Sequence, residues 1–250
     1  KGFGINATYR YPKNGGYGFI GKRLVDKCQD SINVNMEATR IDVYKKEIEF
    51  NHSYIVPYET ILSSIPLPEL VKILPDAPQI VLDAASKLKA NSMFVVNIGI
   101  NRPNITNKNW IYYLEKEFSF VRLSFPFNQS DNVAPDGTSS ISAEISYGYD
   151  NSLPTSKEMM ADYVVKELIK ASVIDVSDEI VYIDTVDIKY AYVIFDYERK
   201  SSIKIIHDYI KKFDIIPFGR YGLWAYLWSD EAILSGKKVA EKLGKIRSSD

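Results

Sequence analysis

Arginine and large aromatic residues alternate near the end of the chain, in the segment Gly219–Trp228, which reads GRYGLWAYLW. Exposed Trp and Tyr side chains are typical of ligand-binding surfaces. A guanidinium group binds phosphate through two parallel hydrogen bonds, and aromatic faces stack on flat rings. A helical pattern follows from Glu231, and the amides at a helix N-terminus attract phosphate. The segment therefore predicts a site for a diphosphate-bearing ligand, with a flat cofactor beside it.

Three further clusters of the same residue types precede this segment. They are Trp110 with Tyr112, Arg122, and Tyr192 followed by Glu198 and Arg199. If Trp110–Leu114 is a strand, Trp110 and Tyr112 share one face, and Arg122 lies within reach on the next strand of a hairpin. Each cluster also has a plainer interpretation, because strand aromatics often belong to a core and an arginine often lies at its edge. Their joint occurrence favours one site that binds both an anion and a ring.

A glycine motif near the start of the chain imitates a dinucleotide-binding fingerprint. Gly16–Gly21 matches the pattern GxGxxG, and a helical pattern follows it. The true fingerprint needs a buried apolar strand that leads into the first glycine, whereas polar residues Arg10–Gly15 precede this one. We therefore interpret the glycines as a close approach to a ligand before a helix N-terminus.

The composition limits the class of protein. A chain of 250 residues with 46% hydrophobic and 13% aromatic content can bury a substantial core, which excludes disorder. A net charge of −1 gives no footprint for nucleic acid, so an anion site has to come from local arginines. No apolar run approaches the roughly 18 residues of a membrane span, and no signal peptide is recognisable. We therefore expect a cytoplasmic protein.

The residue types and their spacing do not indicate a metal site or a catalytic nucleophile. The chain has two histidines, His52 and His207, and one cysteine, Cys28, without the spacing of a zinc site. We expect both histidines to be surface or structural residues, and Cys28 to be a packed thiol in a helix. No Ser-His-Asp order or nucleophile elbow is recognisable. We predict no metal, and any reaction has to be carried by a cofactor.

The elements that must position these residues follow from periodicity. Helices are predicted at Tyr17–Lys27, Glu69–Leu74, Pro78–Leu88, Lys157–Ser172, Ile203–Phe213 and Glu231–Leu243. Strands are predicted at Ile32–Asn35, Ala38–Tyr44, Glu47–Phe50, Ser53–Tyr58, Thr60–Ile65, Met93–Ile100, Trp110–Leu114, Phe120–Phe127, Ser139–Tyr147 and Val181–Tyr192. Because strands follow one another without helices from Met93 to Tyr147, we expect an α+β fold with an antiparallel or mixed sheet and helices on one face.

These motifs resemble the flavin-dependent amine-oxidase and protoporphyrinogen-oxidase-like superfamily and, within it, the UDP-galactopyranose mutase family. The similarity runs over most of the chain. Tyr11–Gly18 resembles the family's Pro-x-x-Gly-Gly segment before a helix, and Ile61–Leu67 resembles a strand of its FAD domain. Trp110-x-Tyr112, with Arg122 ten residues after the tyrosine, has the mutase spacing.

The resemblance continues in the second half of the chain. Tyr192, with Glu198 and Arg199 downstream, resembles the substrate tyrosine that precedes a Glu-Arg pair in the mutases. The run Arg220-Tyr221-Gly222-x-Trp224-x-Tyr226 is similar to their closing motif, whose arginine and last tyrosine meet the phosphates of the sugar nucleotide.

The resemblance implies an isomerase that interconverts the pyranose and furanose forms of a nucleotide sugar for cell-surface polysaccharide synthesis, with FAD and without net oxidation. The flavin carries the chemistry, so no side chain is implied to be catalytic. The implied substrate contacts are Trp110 and Tyr112 on the nucleoside, Arg122 and Arg220 on the diphosphate, and hydrogen bonds from Tyr192 and Tyr226. The implied cofactor contacts are Gly15, Gly16, Gly219, Gly222 and Asp230.

The sequence departs from the family in places. The N-terminal βαβ unit of the family and its histidine-bearing loop near the flavin have no counterpart, and Lys1–Asn6 is no ordinary domain start. We therefore expect part of a longer flavoprotein, whose N-terminal FAD-binding portion is the missing partner. In place of the family's Gly-Asn-Gln stretch the chain has Leu227–Glu231, where Asp230 either faces the cofactor or only caps the helix from Glu231.

On this basis we divide the chain into three segments. Residues 1–66 form part of an FAD-binding domain, 67–215 a substrate-binding α+β domain, and 216–250 a closing motif with a helix. By itself this part is expected to bind FAD weakly or not at all and to be inactive. Two alternatives stay open: an amine-oxidase-like or protoporphyrinogen-oxidase-like oxidoreductase, and a substrate-binding domain without catalysis.

Overall fold

The computed structural model describes residues 9–148 and 151–247. The chain divides into two compact units, each built from two separate stretches of sequence. Unit 1 comprises Lys1–Ile32 and Ser92–Lys189, and unit 2 comprises Asn33–Asn91 and Tyr190–Asp250. The segments 1–66, 67–215 and 216–250 stay a prediction, and Lys1–Asn6 lies outside the described residues.

Helices and strands alternate irregularly along the described part of the chain. The helices are α1 (Gly18–Cys28), α2 (Leu67–Lys72), α3 (Gln79–Ser86), α4 (Met160–Lys170), α5 (Tyr197–Ile210), α6 (Gly219–Gly222) and α7 (Ser229–Arg247). The strands are β1 (Ala38–Asp42), β2 (Glu47–Phe50), β3 (Tyr54–Pro57), β4 (Ile61–Ser63), β5 (Ala90–Ile100), β6 (Trp110–Tyr112), β7 (Arg122–Ser124), β8 (Ser139–Tyr147), β9 (Ile180–Val193) and β10 (Ile215–Pro217). The expected α+β class is confirmed.

A five-stranded sheet with the order β6-β7-β8-β5-β9 organises unit 1. The pairs β6–β7, β7–β8 and β5–β8 are antiparallel, as the run of strands predicted. Alternate residues of β5 and β8 are buried, which commits one face of the sheet to the core. The buried residues Met160, Val164 and Leu168 of α4, four positions apart, belong to the same core. The opposite face of the sheet is therefore free to carry polar side chains.

Unit 2 combines two small sheets with helices. Strands β1, β2 and β3 form an antiparallel sheet, and β4 pairs with β10 in parallel. Its core includes residues of α2, α3 and α5 together with Trp224, which is fully buried. Pro68 occupies the first turn of α2, where its missing amide hydrogen costs nothing.

Several boundaries differ from the prediction. The strand predicted at Ile32–Asn35 is wrong, since Asn35 has a φ of 59°, which an extended strand does not allow. Helix α5 begins at Tyr197 rather than Ile203, because the Asp196 side chain accepts a hydrogen bond from the amide of Arg199 and caps the helix. Cys28 lies in a helix as expected, but its thiol is exposed rather than packed.

Candidate functional site

The arginine-aromatic segment of unit 2 begins at the carboxyl edge of the two parallel strands. Strand β10 pairs with β4, and the amide of Phe218 then donates to the carbonyl of Ser63, 2.9 Å away. Gly219 follows with a φ of 70°, a conformation that favours glycine, and opens the single turn α6. The prediction had neither β10 nor α6, because only the pairing with a distant strand defines them. The turn places Arg220 where parallel strands end, a common location for ligands.

Arg220 packs against two of the tyrosines that the sequence singled out. Its guanidinium carbon lies 4.7 Å from the ring centre of Tyr226 and 5.2 Å from that of Tyr192. The two rings are stacked, with centres 5.8 Å apart and planes 19° from parallel. The structure thus brings three predicted substrate contacts together in one cluster, which we call the Arg220 cluster.

The guanidinium of Arg220 is held by the main chain and not by an acid. Nη1 donates to the carbonyl of Leu227 over 2.8 Å, and Nη2 donates to the carbonyl of Ala191 over 3.0 Å. Nε is buried and has no hydrogen-bond partner. Among the described residues, no carboxylate lies within 4.0 Å of this group. The charge of Arg220 is therefore not balanced by an acid, and its buried Nε lacks the partner that buried donors normally have.

Arg199, also in unit 2, is likewise held by a main-chain carbonyl and not by an acid. Its Nε and Nη2 both donate to the carbonyl of Trp224, and its guanidinium carbon lies 4.1 Å from the ring centre of Phe195. It too has no carboxylate within 4.0 Å in the described part of the chain. Burial lowers the pKa of Arg199 from its ordinary value. Two arginines without acidic partners therefore hold the main chain of one segment, at Trp224 and Leu227.

The aromatic residues of this segment divide into core and surface. Trp224 is fully buried, against the expectation that it faces a ligand, and its ring meets Tyr190 edge to face at 5.6 Å. Tyr226 and Trp228 are about half exposed, as a ligand surface requires. Trp224 also has a φ of 48°, which is uncommon for a residue other than glycine.

The other predicted substrate contacts lie on the polar face of the sheet in unit 1. Tyr112 pairs with Arg122, and Arg122 pairs with Glu144, so the three side chains form one row. Glu144 accepts hydrogen bonds from Nε and Nη2 of Arg122 at 2.9 and 2.5 Å, while Nη1 approaches the Tyr112 hydroxyl at 3.5 Å. Burial lowers the pKa of Arg122, but the bonds and charge of Glu144 outweigh burial and leave it raised. Arg122 therefore stays charged, and Glu144 already balances its charge.

Trp110 belongs to an aromatic group that sequence reasoning did not include. It shares a face of β6 with Tyr112, and the ring of Tyr9 lies 5.1 Å from it. Tyr11 contacts Tyr9, and Tyr17 contacts Tyr11, with ring centres 6.4 and 5.9 Å apart. In the sequence, the three tyrosines next to the glycine turn were the feature that could have indicated this group. They extend the wall that Trp110 was expected to form for a flat ring.

The expected cofactor glycines use their amides within the protein. The amide of Gly15 donates to the carbonyl of Asp131, that of Gly16 to the Ser130 hydroxyl, and that of Gly219 to the Ser235 hydroxyl. A β-carbon at Gly222 would meet the carbonyl oxygen of Ser63 at 2.5 Å, so internal packing already requires a glycine there. These residues therefore do not form a free cradle for the phosphates of FAD, and their cofactor role stays a prediction.

Asp230 does not cap the last helix in the expected way. Helix α7 begins at Ser229, so Asp230 lies within its first turn, where an acidic residue is stabilised by the helix dipole. The side chain of Glu231 instead accepts a hydrogen bond from the amide of Trp228 at 2.8 Å. Contact of Asp230 with a cofactor remains a prediction.

Two other kinds of feature are absent from residues 9–148 and 151–247. No group of three or more His, Cys, Asp or Glu side chains is arranged to hold a metal ion there. None of the helices in that part of the chain combines the length and apolar character that a membrane crossing needs.

Comparison with known proteins agrees on the fold. No family model matches the sequence. The structure of a reduced UDP-galactopyranose mutase matches with a TM-score of 0.81 and 24% identity, over 90% of this chain and 49% of that one. A protein of Exiguobacterium described as a protoporphyrinogen oxidase matches with a TM-score of 0.69 and 15% identity, over 89% of this chain and 50% of that one.

A third solved structure extends this comparison to another reaction. The CLA-producing fatty acid isomerase of P. acnes matches with a TM-score of 0.67 and 12% identity, over 91% of this chain and 52% of that one. The chain thus spans about half the length of each of these proteins. Over that half, its two units have the fold seen in these three solved structures.

Proposed function

We propose that this chain is the nucleotide-sugar-binding part of a flavoprotein that interconverts pyranose and furanose forms of the sugar. The observation that supports it best is the pair Arg199 and Arg220, two guanidinium groups of unit 2 without an acidic partner in the described residues. Arg220 lies against the stacked rings of Tyr192 and Tyr226. This combination suits a diphosphate, which needs positive charge together with hydroxyl donors.

The two predicted arginines differ in whether an acidic residue balances their charge. The Nε of Arg220 is buried and unpartnered, and its other nitrogens bond only to main-chain carbonyls. Arg122 by contrast forms an ion pair with Glu144. An incoming phosphate would gain the full attraction of Arg220 but would compete with a carboxylate at Arg122. We therefore assign the principal diphosphate contact to Arg220, with Arg199 as a second positive group of unit 2.

The fold supports FAD as the cofactor of the whole protein, because the matched structures belong to a flavin-dependent superfamily. FAD would supply the covalent chemistry at the sugar, while the residues described here bind and neutralise the leaving and returning diphosphate. The amides of Gly15, Gly16 and Gly219 are occupied within the protein. We therefore expect this chain alone to bind FAD weakly or not at all, and near-stoichiometric flavin absorbance in the purified chain would contradict this.

Titration of the chain with UDP-galactopyranose in a calorimeter tests the proposed anion site. Arg220→Met should weaken binding at least tenfold, the effect of losing a charge-assisted contact, and neutral uridine and galactose should bind far more weakly than the nucleotide sugar. Arg40→Met is the matched control, since Arg40 is an exposed arginine of unit 2. Equal binding by Arg220→Met and Arg40→Met would refute the site.

The reaction itself needs the complete protein. Incubation with dithionite and UDP-galactopyranose, followed by chromatography, should yield the furanose form. An oxidoreductase is the second candidate, because the protein described as a protoporphyrinogen oxidase shares the fold. Release of hydrogen peroxide without furanose product would favour that candidate. Binding of the nucleotide sugar without either product would favour a binding domain without catalysis.

A further inference from the structure

We propose that unit 1 contains a second ligand site, which takes an uncharged and largely apolar ring compound carrying one hydrogen-bond donor. The site is a cavity of about 580 Å³ on the polar face of the sheet, over the end of β5 and the start of β8. This volume lies within the range of small-molecule pockets. None of the predicted substrate or cofactor residues lines the cavity, so the inference does not depend on the proposed function.

The floor of the cavity offers a hydrogen-bond acceptor to a ligand. Asn97 and Ser142 line it, and the Ser142 hydroxyl donates to Oδ1 of Asn97 at 2.6 Å, so this hydroxyl hydrogen and this oxygen are paired with each other. Ser140, two residues before Ser142 on the same face of β8, also lines it, and its hydroxyl is buried without a partner. Buried hydroxyl groups are normally hydrogen-bonded. Because a serine hydroxyl turns about a single bond, Ser140 can accept from a donor that enters the cavity.

Gly99 keeps the space above this floor open. It is the register partner of Ser140, and a β-carbon at Gly99 would lie 3.0 Å from the β-carbon of Tyr182. A larger residue would therefore push against Tyr182, which lines the cavity and is 58% exposed. The tyrosine ring beside a residue without a side chain provides a face on which a flat ring can lie.

The walls determine the charge and polarity of the ligand. Beyond the floor they consist mainly of apolar side chains: Pro126, Val133, Ala134, Pro135 and Val181. None of the residues that line the cavity carries a charge at neutral pH. A charged ligand would lose its hydration without gaining a counter-charge, whereas an uncharged ring gains burial of its apolar surface. The lining therefore selects a neutral ring, and Ser140 selects one with a donor.

Ligand-observed NMR titration with indole tests the site, because indole is a neutral ring with a single N–H donor. We expect Ser140→Ala to weaken indole about fivefold, the size of one net hydrogen bond, and to leave 1-methylindole, which lacks the donor, unchanged. Indole-3-acetate, which is an anion, should bind more weakly than indole. Ala134→Phe should fill the cavity and abolish binding of both neutral compounds.

Matched control variants show whether the loss of indole binding comes from the cavity. Ser201→Ala and Ala240→Phe make the same changes at exposed positions of unit 2 and should leave indole binding unchanged. A crystal of the unaltered chain soaked in indole gives a measurement that depends on no variant, and we expect the ring between Gly99 and Tyr182. Equal affinity of Ala134→Phe and the unaltered chain, no binding at the solubility limit of indole, or indole bound elsewhere would each overturn the proposal.

Discussion

A β-carbon on Gly222 would lie 2.5 Å from the carbonyl oxygen of Ser63, closer than non-bonded atoms tolerate. We therefore expect Gly222→Ala to lower the free energy of unfolding by about 1–3 kcal/mol, because the rigid main chain of Ser63 has to move. Urea unfolding measures the change. Gly21→Ala is the control, since Gly21 lies in α1 with open space around it and should gain about 0.5–1 kcal/mol. Equal unfolding energies for both variants would contradict the packing argument.

The hydroxyl of Ser130 ties the glycine turn of unit 1 to a distant loop. It accepts from the amide of Gly16 at 2.9 Å and donates to the carbonyl of Pro12 at 2.8 Å, and Ser130 is buried. Ser130→Ala should lower the free energy of unfolding by about 1–3 kcal/mol, because it leaves buried groups unpaired. Hydrogen exchange at the Gly16 amide should accelerate with it. Unchanged exchange in Ser130→Ala, compared with the exposed control Ser201→Ala, would rule this out.

His207 makes the stability of unit 2 depend on pH. Burial lowers its pKa below the ordinary value of 6.5, and a hydrogen bond to the main chain at Gly222 and the charge of Asp208 oppose this only in part. The unfolded chain therefore takes up a proton at a higher pH than the folded chain does. Stability from this group is complete above pH 6.5 and is lost as the pH falls through the lower pKa of the folded state.

Thermal unfolding across this pH range checks the expectation. His207→Gln should flatten the decline in melting temperature below pH 6.5, because the titrating group is gone. His52→Gln serves as the control, since its imidazole side chain is 83% exposed. A decline that is equally steep in the unaltered chain and in His207→Gln would show that other groups cause it.

Arg122 and Glu144 should behave as a coupled pair. Arg122→Met leaves the carboxylate of Glu144, which is only 16% exposed, without its partner and should cost about 2 kcal/mol of stability. Glu144→Gln should also destabilise, and the double variant should be more stable than the sum of the two single changes predicts. A double-mutant cycle by urea unfolding measures the coupling. Strict additivity would show that the two groups do not stabilise each other.

Elements with strong local signals could be predicted from the sequence. The alternation of Ser139–Tyr147 predicted β8 with its observed bounds, and the periodicity of Lys157–Ser172 predicted the helical stretch that contains α4. Elements that depend on distant partners could not be predicted. Strand β10 has three residues and exists because β4, far away in the sequence, pairs with it. The glycines of α6 indicated a loop, yet packing against Ser63 makes a helical turn of them.

The candidate site shows the same division. Residue types and spacing identified Tyr192, Arg220 and Tyr226, which the structure brings into contact. The sequence could not show which of the two arginines has an acidic partner, because folding decides which carboxylate lies beside a guanidinium. The register of β7 and β8 places Glu144 beside Arg122. The guanidinium of Arg220 instead donates to main-chain carbonyls.

By itself, the sequence determined the α+β class, the antiparallel sheet and the positions of the arginine and aromatic clusters, because these follow from periodicity and side-chain chemistry. Only the tertiary structure decided that Trp224 belongs to the core, that Arg122 is paired and that Arg220 is not. Burial and ion pairing depend on residues that are distant along the chain, and pairing between strands and packing of helices bring those residues together.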